Sequence, residues 1–263
     1  MHGTLLALEY RMFGPGAEAF LSGAKKSLQG LFWGPFGYQN ATRLLWPDRC
    51  AACDALGEAP FCAACADTLE PCPSGCPCCG VPLDAALLPG LRPRRCPACR
   101  RSPPPFAAAS APWLHGGALA EAIHRLKYEG RSDLAGPLGV LFSGADPPRA
   151  DVVAPIPLHP SRLRERGYDQ AWLLARHAAR RLGLPLRSLL RRVQATPQQT
   201  RLGRQGRANN MRGAFASLGK IAGLRVCLID DVLTTGATAS AAARALLQAG
   251  AARVEVRTLA RAL

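Results

Sequence analysis

The chain has 263 residues, of which 48% are apolar and 6% aromatic, and its formal net charge is +15. That length suffices for one large domain or two small ones. No run of about eighteen apolar residues occurs, so the sequence predicts no membrane-spanning helix. The N-terminus lacks the basic-then-apolar order of a secretory signal, and we therefore expect a cytoplasmic protein.

The composition divides the chain into three parts. Residues 1–42 contain Gly, Phe and Trp without a clear period, and we treat them as an N-terminal extension of uncertain structure. Residues 43–101 are rich in Cys, Pro and Gly. A proline-rich linker, Ser102–Phe106, then leads to residues 107–263, where strand and helix patterns alternate.

The cysteine-rich part predicts a double zinc ribbon. Ten of the eleven cysteines lie between residues 50 and 99, and eight of them form four C-x-x-C pairs. Each C-x-x-C turn places two thiolates on one side of a knuckle, and two knuckles complete a tetrahedron around Zn²⁺. We therefore expect two structural zinc ions. Their ligands are predicted to be Cys50, Cys53, Cys62, Cys65, Cys76, Cys79, Cys96 and Cys99.

Several points about these cysteines stay open in the sequence. Sequential pairing of the four turns is the first choice, and an interleaved pairing, first with third and second with fourth, is the alternative. Disulfides would need an oxidising compartment, for which the sequence has no export signal. Cys72 and Cys78 fall outside the pairs and could replace a neighbour as ligand. Cys227 lies in a predicted core strand and is interpreted as a small buried apolar residue.

The part after the linker alternates between helix and strand patterns. Residues 117–128 have apolar side chains at helical spacing, and 133–142 predict a second, short helix. Further on, the patterns predict a strand at 151–158, a helix at 169–182 with Trp172 among its apolar members, a short strand near Phe215, a helix at 239–248 and a strand at 254–259. This alternation predicts a parallel α/β sheet flanked by helices, with ligands at the carboxyl ends of the strands.

The positive charge is concentrated in one segment. Between Ser161 and Gly213 the chain has thirteen arginines, no lysine and two acids, so this segment contributes +11. Such a field attracts polyanions such as nucleic acid or pyrophosphate. The alternative is a solvated basic surface without a ligand. Within the segment, residues 193–213 form a long polar stretch, and stretches of that length inside a compact domain are usually functional or mobile.

The most informative motif is VCLIDDVLTTGAT at residues 226–238. An apolar strand, Val226 to Ile229, is followed by the adjacent carboxylates Asp230 and Asp231. A turn of small residues then leads into a helix, and backbone N–H groups at a helix N-terminus can bind an anion. A phosphate site beside two carboxylates fits a phosphorylated ribose. The plainer interpretation is a strand–turn–helix corner with solvated acids and a threonine cap.

This motif resembles the phosphoribosyl pyrophosphate (PRPP) motif of type I phosphoribosyltransferases. Over roughly residues 44–263 the chain is similar to the ComF family of competence proteins, which includes the GntX relatives. Four features carry the resemblance: WPDRC at 46–50 with the cysteine-rich ribbon, IHRLKYEG at 123–130, PIPLHPSRLRERGYDQ at 155–170, and the stretch from Thr196 through Gln199, Arg207 and Asn210 to Phe215, before the PRPP loop. Asp169 departs from the family pattern, which commonly has Asn there.

The resemblance implies a type I phosphoribosyltransferase-like fold preceded by a zinc ribbon, and it implies PRPP binding together with Mg²⁺. Asp230 and Asp231 would hold the ribose hydroxyls and indirectly the metal ion. Arg162, Arg164 or Arg166 would contact pyrophosphate, because Arg suits bidentate phosphate contacts. The 5-phosphate would bind the loop Thr234, Thr235, Gly236, Ala237 and Thr238.

The resemblance also implies a role in natural competence, in which single-stranded DNA enters the cytoplasm with the help of a helicase-like partner. Two interpretations of the PRPP site stay open at this point. The chain is either a PRPP-binding protein without turnover or an active phosphoribosyltransferase that transfers ribose 5-phosphate to a nucleobase or another nitrogen acceptor. No segment of the sequence identifies that acceptor.

Overall fold

The computed structural model describes residues 49–56, 60–83, 95–142, 147–194 and 213–263. The predicted extension at 1–42 lies outside these residues, as do residues 46–48 of the WPDRC motif and most of the polar stretch at 193–213. The described residues form a five-stranded parallel sheet, a separate two-stranded antiparallel sheet and two clusters of four cysteines. This arrangement confirms the predicted parallel α/β sheet preceded by a cysteine-rich module.

The helices and strands of the described residues are numbered in chain order. The helices are α1 (Ala63–Ala66), α2 (Pro97–Arg101), α3 (Gly117–Tyr128), α4 (Ala135–Gly139), α5 (Pro160–Arg166), α6 (Gln170–Leu182) and α7 (Ala237–Gln248), with short 3₁₀ turns at Ser132–Leu134 and Val140–Phe142. The strands are β1 (Ala108–Ser110), β2 (Trp113–Leu114), β3 (Val152–Pro155), β4 (Leu190–Arg192), β5 (Phe215–Ser217), β6 (Arg225–Leu233) and β7 (Arg253–Arg261). Within these residues no helix combines the length and apolar character needed to cross a membrane.

β6 and β7 form the centre of the main sheet, whose order is β1-β7-β6-β3, with β2 also pairing with β7. Helices cover both faces, which explains why β6 is apolar at successive positions rather than at alternate ones. Cys227 and Ile229 belong to the core shared with α3 and α6, whereas Val226 and Leu228 belong to the core beneath α7. Cys227 is fully buried, as predicted.

Several boundaries differ from the sequence predictions for physical reasons. The predicted strand ends at Ile229, but β6 continues to Leu233 because its pairing with β7 continues along the same ladder. α7 begins at Ala237 rather than at residue 239, because Gly236 adopts a left-handed φ of 76° that closes the turn. Trp172, assigned to the apolar side of its helix, is 37% exposed. The patterns also missed the short elements β1, β2, β4 and α5.

The first cysteine cluster is built into the core of the sheet domain. Cys50 and Ala51 are fully buried, and they share one hydrophobic core with Leu119, Ile123 and Leu126 of α3. The cluster is therefore packed against the same helix that covers β6.

The cysteine-rich module also holds α3 at both ends. At the N-terminal end, the hydroxyl of Thr68 accepts a hydrogen bond from the backbone N–H of Ala118 at 2.9 Å. Near the C-terminal end, the buried Arg125 donates to the carbonyl of Ala51 at 2.9 Å and to the carboxylate of Asp54. Hydrogen bonds from Arg131 and then from Arg125 lower the pKa of Asp54.

We predict that Arg125→Gln lowers the free energy of unfolding by about 2–4 kcal/mol, because it leaves the buried carbonyl of Ala51 without its donor and Asp54 with only Arg131 as a partner. Urea unfolding of the zinc-loaded protein measures the change. Arg176→Gln is the matched control, since Arg176 is exposed in the middle of α6, and we expect it to change stability by less than about 0.5 kcal/mol. If the two variants lose the same free energy of unfolding, the contact between Arg125 and the cysteine-rich module does not stabilise the fold.

Candidate functional site

The two adjacent aspartates lie within β6 and have different surroundings. Asp231 is 4% exposed. One of its carboxylate oxygens lies 2.5 Å from the ammonium nitrogen of Lys127, and the other accepts a hydrogen bond from the amide of Gln170 at 3.0 Å. Asp230 accepts a hydrogen bond from the backbone N–H of Asp231 at 2.9 Å. Asp231 is thus held by side chains from two helices, α3 and α6.

The close approach of these charges shifts their protonation equilibria. Burial, and then the negative charge of Asp231, raise the pKa of Asp230 to about 8, although Lys127 acts in the opposite direction. Burial disfavours the charged form of Lys127, but the charge and hydrogen bond of Asp231 outweigh it and raise the pKa of Lys127. Asp230 therefore keeps a proton near neutral pH that a bound cation would displace.

The loop after β6 is supported from beneath by Arg261. This arginine is 5% exposed, and its guanidinium donates to the carbonyl of Leu233 at 2.7 Å and to the carbonyls of Thr234 and Ala262. These bonds hold the end of β6 and the first residue of the loop in place. The hydroxyl of Thr235 accepts a hydrogen bond from the N–H of Ala237 at 3.3 Å, which fixes the start of α7.

Of the three arginines predicted to contact pyrophosphate, Arg166 is connected to the aspartates, and Arg164 is exposed. Its guanidinium donates to the side-chain carbonyl of Gln170, which in turn donates to Asp231. It also lies over the ring of Tyr128, 5.4 Å from the ring centroid. Arg162 instead forms an ion pair with Glu165 at 2.9 Å, within α5. The structure therefore joins Arg166 to Asp231 through one intervening side chain.

Asp169, the departure from the family pattern, begins α6. One carboxylate oxygen accepts from the N–H groups of Ala171 and Trp172 at 2.9 and 3.2 Å, and the other accepts from the N–H of Leu158 at 3.1 Å. Asn has a single acceptor oxygen and could not replace both oxygens. Burial raises the pKa of Asp169, against the effect of these hydrogen bonds. Asp is therefore compatible with this position.

The eight predicted zinc ligands form two sets with the sequential pairing. Cys50, Cys53, Cys62 and Cys65 form one set and Cys76, Cys79, Cys96 and Cys99 the other, with the sulfur atoms of each set within 4.8 Å of one another. The interleaved alternative is therefore wrong. Four thiols at this separation fit a tetrahedral zinc site. Neither Cys72 nor Cys78 belongs to a set.

Backbone N–H groups point at the sulfur atoms of the second set. The N–H of Cys96 donates to the sulfur of Cys76 at 3.3 Å, and the N–H of Cys99 donates to the sulfur of Cys96 at 3.4 Å. At Cys76, burial opposes ionisation, but backbone hydrogen bonds outweigh it and lower the pKa of the thiol to about 6. The thiolate form that metal binding requires is thus favoured at Cys76, whereas burial raises the pKa of Cys79 and Cys99.

Known proteins resemble the chain in both of its parts. Residues 169–263 match the family model of the phosphoribosyl transferase domain. DNA utilization protein YhgH of Salmonella typhi is 33% identical over 218 residues, which cover 80% of this chain and 93% of that protein. Competence protein F of Haemophilus influenzae is 36% identical over 116 residues, 43% of this chain and 51% of that protein. Competence protein ComFC of Bacillus subtilis is 31% identical over 144 residues, 53% of this chain and 58% of that protein.

The chain belongs to the ComF family. Within this ComF-family chain, the matched phosphoribosyl transferase segment contains Gln170 and both aspartates but not Lys127. The ion pair between Lys127 and Asp231 therefore joins the matched segment to the helix that packs on the first cysteine cluster.

The sequence did not assign roles to three residues that border the aspartates or their loop: Lys127, Gln170 and Arg261. Lys127 and Gln170 stood inside motifs quoted for the ComF resemblance, so a signal for them was present. Arg261 had none, because it is the last residue of β7 and lies outside the motifs that the sequence singled out. Arg192, at the end of β4, also lies close enough for the charge of Asp230 to act on it.

We predict about two equivalents of zinc in protein purified without chelator, because the structure contains two sets of four thiols. Elemental analysis measures this number. Cys53→Ser and Cys79→Ser each remove a ligand from a different set, and each should lower the zinc content toward one equivalent. Cys72→Ser is the control and should leave it unchanged. Iron with visible absorbance in place of zinc would contradict the assignment.

We predict that Asp230→Asn stabilises the protein by a margin that grows from pH 5 to pH 8. The pKa of Asp230 is raised from 3.8 to about 8 in the folded protein. Within that window the folded state keeps a proton that the unfolded chain has lost, so native stability falls as pH rises, by up to about 1.4 kcal/mol per pH unit. Asn carries no such charge, and urea unfolding at several pH values measures the difference.

Asp231→Asn is the matched contrast to this variant. It removes the ionic partner of Lys127 and one acceptor of Gln170, and we expect it to lower stability by about 1–3 kcal/mol. A stability margin for Asp230→Asn that stays constant or shrinks as pH rises would show that Asp230 is not held protonated.

Proposed function

We propose that this ComF-family chain binds PRPP with Mg²⁺ at the carboxyl end of β6 and acts in the cytoplasm in natural competence, where single-stranded DNA is taken up. The observation that carries the proposal is the sequence of chemical groups along β6: two carboxylates of unequal environment, then a small-residue loop, then the N-terminus of α7. The names of the relatives, Competence protein F, ComFC and DNA utilization protein, support the biological part.

The carboxylates suit a ribose with vicinal hydroxyls. The ammonium group of Lys127 holds one oxygen of the Asp231 carboxylate, and this carboxylate can accept hydrogen bonds from hydroxyl groups of the ribose. Asp230 offers hard oxygen donors of the kind that Mg²⁺ prefers. Mg²⁺ bound together with PRPP supplies neutralising charge for the pyrophosphate. The loop Thr234–Thr238 would bind the 5-phosphate through its N–H groups and hydroxyls.

The basic segment supports a polyanionic partner. Six of its arginines are exposed and described by the structure: Arg164, Arg176, Arg180, Arg181, Arg187 and Arg191. Single-stranded DNA would bind such a surface through its phosphates, with strong dependence on salt. A helicase-like competence protein is the partner that the family resemblance suggests for this step.

The alternative function is an active phosphoribosyltransferase. Transfer from PRPP breaks the bond between the anomeric carbon of the ribose and an oxygen of pyrophosphate, and a nitrogen of the acceptor forms the new bond. Negative charge develops on the leaving pyrophosphate. Arg166 and Arg162 are the predicted groups that would stabilise it, since preorganised cations near a leaving group lower the barrier. The PRPP site itself is common to both functions.

We predict that isothermal titration calorimetry detects PRPP binding in the presence of Mg²⁺, and that Asp230→Ala with Asp231→Ala weakens it at least about 100-fold, because two charge-assisted contacts are lost. Asp151→Ala is the control, since this exposed carboxylate pairs with Arg225 at the opposite end of β6. If the double variant is folded and binds PRPP as tightly as the parent, these aspartates do not hold the ribose.

The same titration, followed by a pyrophosphate-release assay with a panel of nucleobases, separates the two functions. Binding without release in the presence of every base supports a PRPP-controlled competence protein. Release that depends on one base identifies an enzyme and its acceptor.

A further inference from the structure

A cleft lies between the second cysteine cluster and α7. Its volume is about 610 Å³, and its two walls are the segment Cys96–Phe106 and the segment Thr235–Ala237 with the exposed side of α7. Asp230, Asp231 and Lys127 are not among the residues that line it. The cleft therefore lacks the carboxylates, although it shares Thr235, Gly236 and Ala237 with the loop proposed to bind the 5-phosphate.

The cleft has arginines beside three cysteines of the second set. Arg101, Arg244 and Arg261 line it, and no acidic residue does so among the described residues. Four thiolates around Zn²⁺ in the adjoining cysteine set would leave a formal charge of −2, which is smaller than the charge of the three arginines. Arg261 is engaged with backbone carbonyls, so Arg101 on one wall and Arg244 on the other are the exposed cations that line the cleft.

Hydroxyl groups and apolar surface complete the lining. Ser102 and Ser240 add hydroxyl donors, and Ser240 lies one turn before Arg244 on α7. Pro103, Pro104 and Pro105 follow Ser102 on the same wall, and their fixed φ angles make a stiff apolar surface there. A cleft of this size falls in the range of small-molecule sites. Its chemistry fits a ligand that combines a phosphate with a flat apolar ring.

We propose that this cleft binds a nucleotide unit, with the phosphate between Arg101 and Arg244 and the base against the three prolines. Guanidinium groups bind phosphate in a bidentate manner and also stack on flat rings. The proposal adds a second ligand site to the proposed function and does not depend on PRPP binding. A free nucleotide and a nucleotide within a single strand present the same chemistry to the cleft.

The test is equilibrium binding of deoxyadenosine 5′-monophosphate to the full zinc-loaded chain. Deoxyadenosine and inorganic phosphate, each presenting half of the ligand, should bind at least about tenfold more weakly. Arg101→Gln with Arg244→Gln should weaken nucleotide binding by about tenfold or more. Arg100→Gln with Arg149→Gln removes the same charge from exposed positions outside both the cleft and the basic segment, and we expect less than about a twofold effect. Arg244→Gln alone is a second variant, which removes only one of the two charges.

Each outcome decides the proposal. Lack of nucleotide binding up to millimolar concentration would overturn it, and so would equal weakening in the two double variants, which would indicate nonspecific charge attraction. If PRPP displaces the nucleotide and the substitutions at Arg101 and Arg244 do not change its affinity, the nucleotide binds in the carboxylate site instead. A short single-stranded oligonucleotide distinguishes the two sources of the nucleotide. If Arg101→Gln with Arg244→Gln weakens binding of the oligonucleotide more than binding of the monophosphate, the cleft binds a strand. If it weakens binding of the monophosphate more, the cleft binds a free nucleotide.

Discussion

The contact between Arg125 and the first cysteine cluster is the constraint on which the site depends. A buried guanidinium needs several acceptors, and here they come from the carbonyl of Ala51 and the carboxylate of Asp54. Lys127 follows two residues later on the same helix and provides the charge beside Asp231. The position of that ammonium group is therefore set by the cysteine-rich module at one end and by the sheet at the other. The zinc ligands support a site to which they contribute no atoms.

The fold was predictable where the signal was local. The helix at 117–128 and the pairs of cysteines have spacings that a short window of sequence displays, and both occur as predicted. β1 and β2 have three and two residues, and only pairing with β7, far along the chain, makes them strands. Trp172 shows the converse error, because an apolar residue at helical spacing is not always buried.

The candidate site shows the same division between local and distant information. Asp230 and Asp231 are identical and adjacent in the sequence, and the loop after them is a local motif. Their different environments come from Lys127 and Gln170 on separate helices, and no local pattern contains that information. Arg261 supports the loop from the neighbouring strand for the same reason. The sequence therefore predicted the members of the candidate site, and the tertiary contacts distinguish their surroundings.

The place of β7 in the sheet has a consequence for folding kinetics. β7 is the last described strand along the chain, yet it pairs with both β1 and β6, so Ala108 finds its partner at Glu255. Such distant parallel pairing is slow, because the entropy of loop closure is lost before the strand contacts form. Until β7 is in place, the apolar strand β6 has an open edge that can pair with other chains. Refolding from denaturant should therefore be slow and should lose yield to aggregation as protein concentration rises.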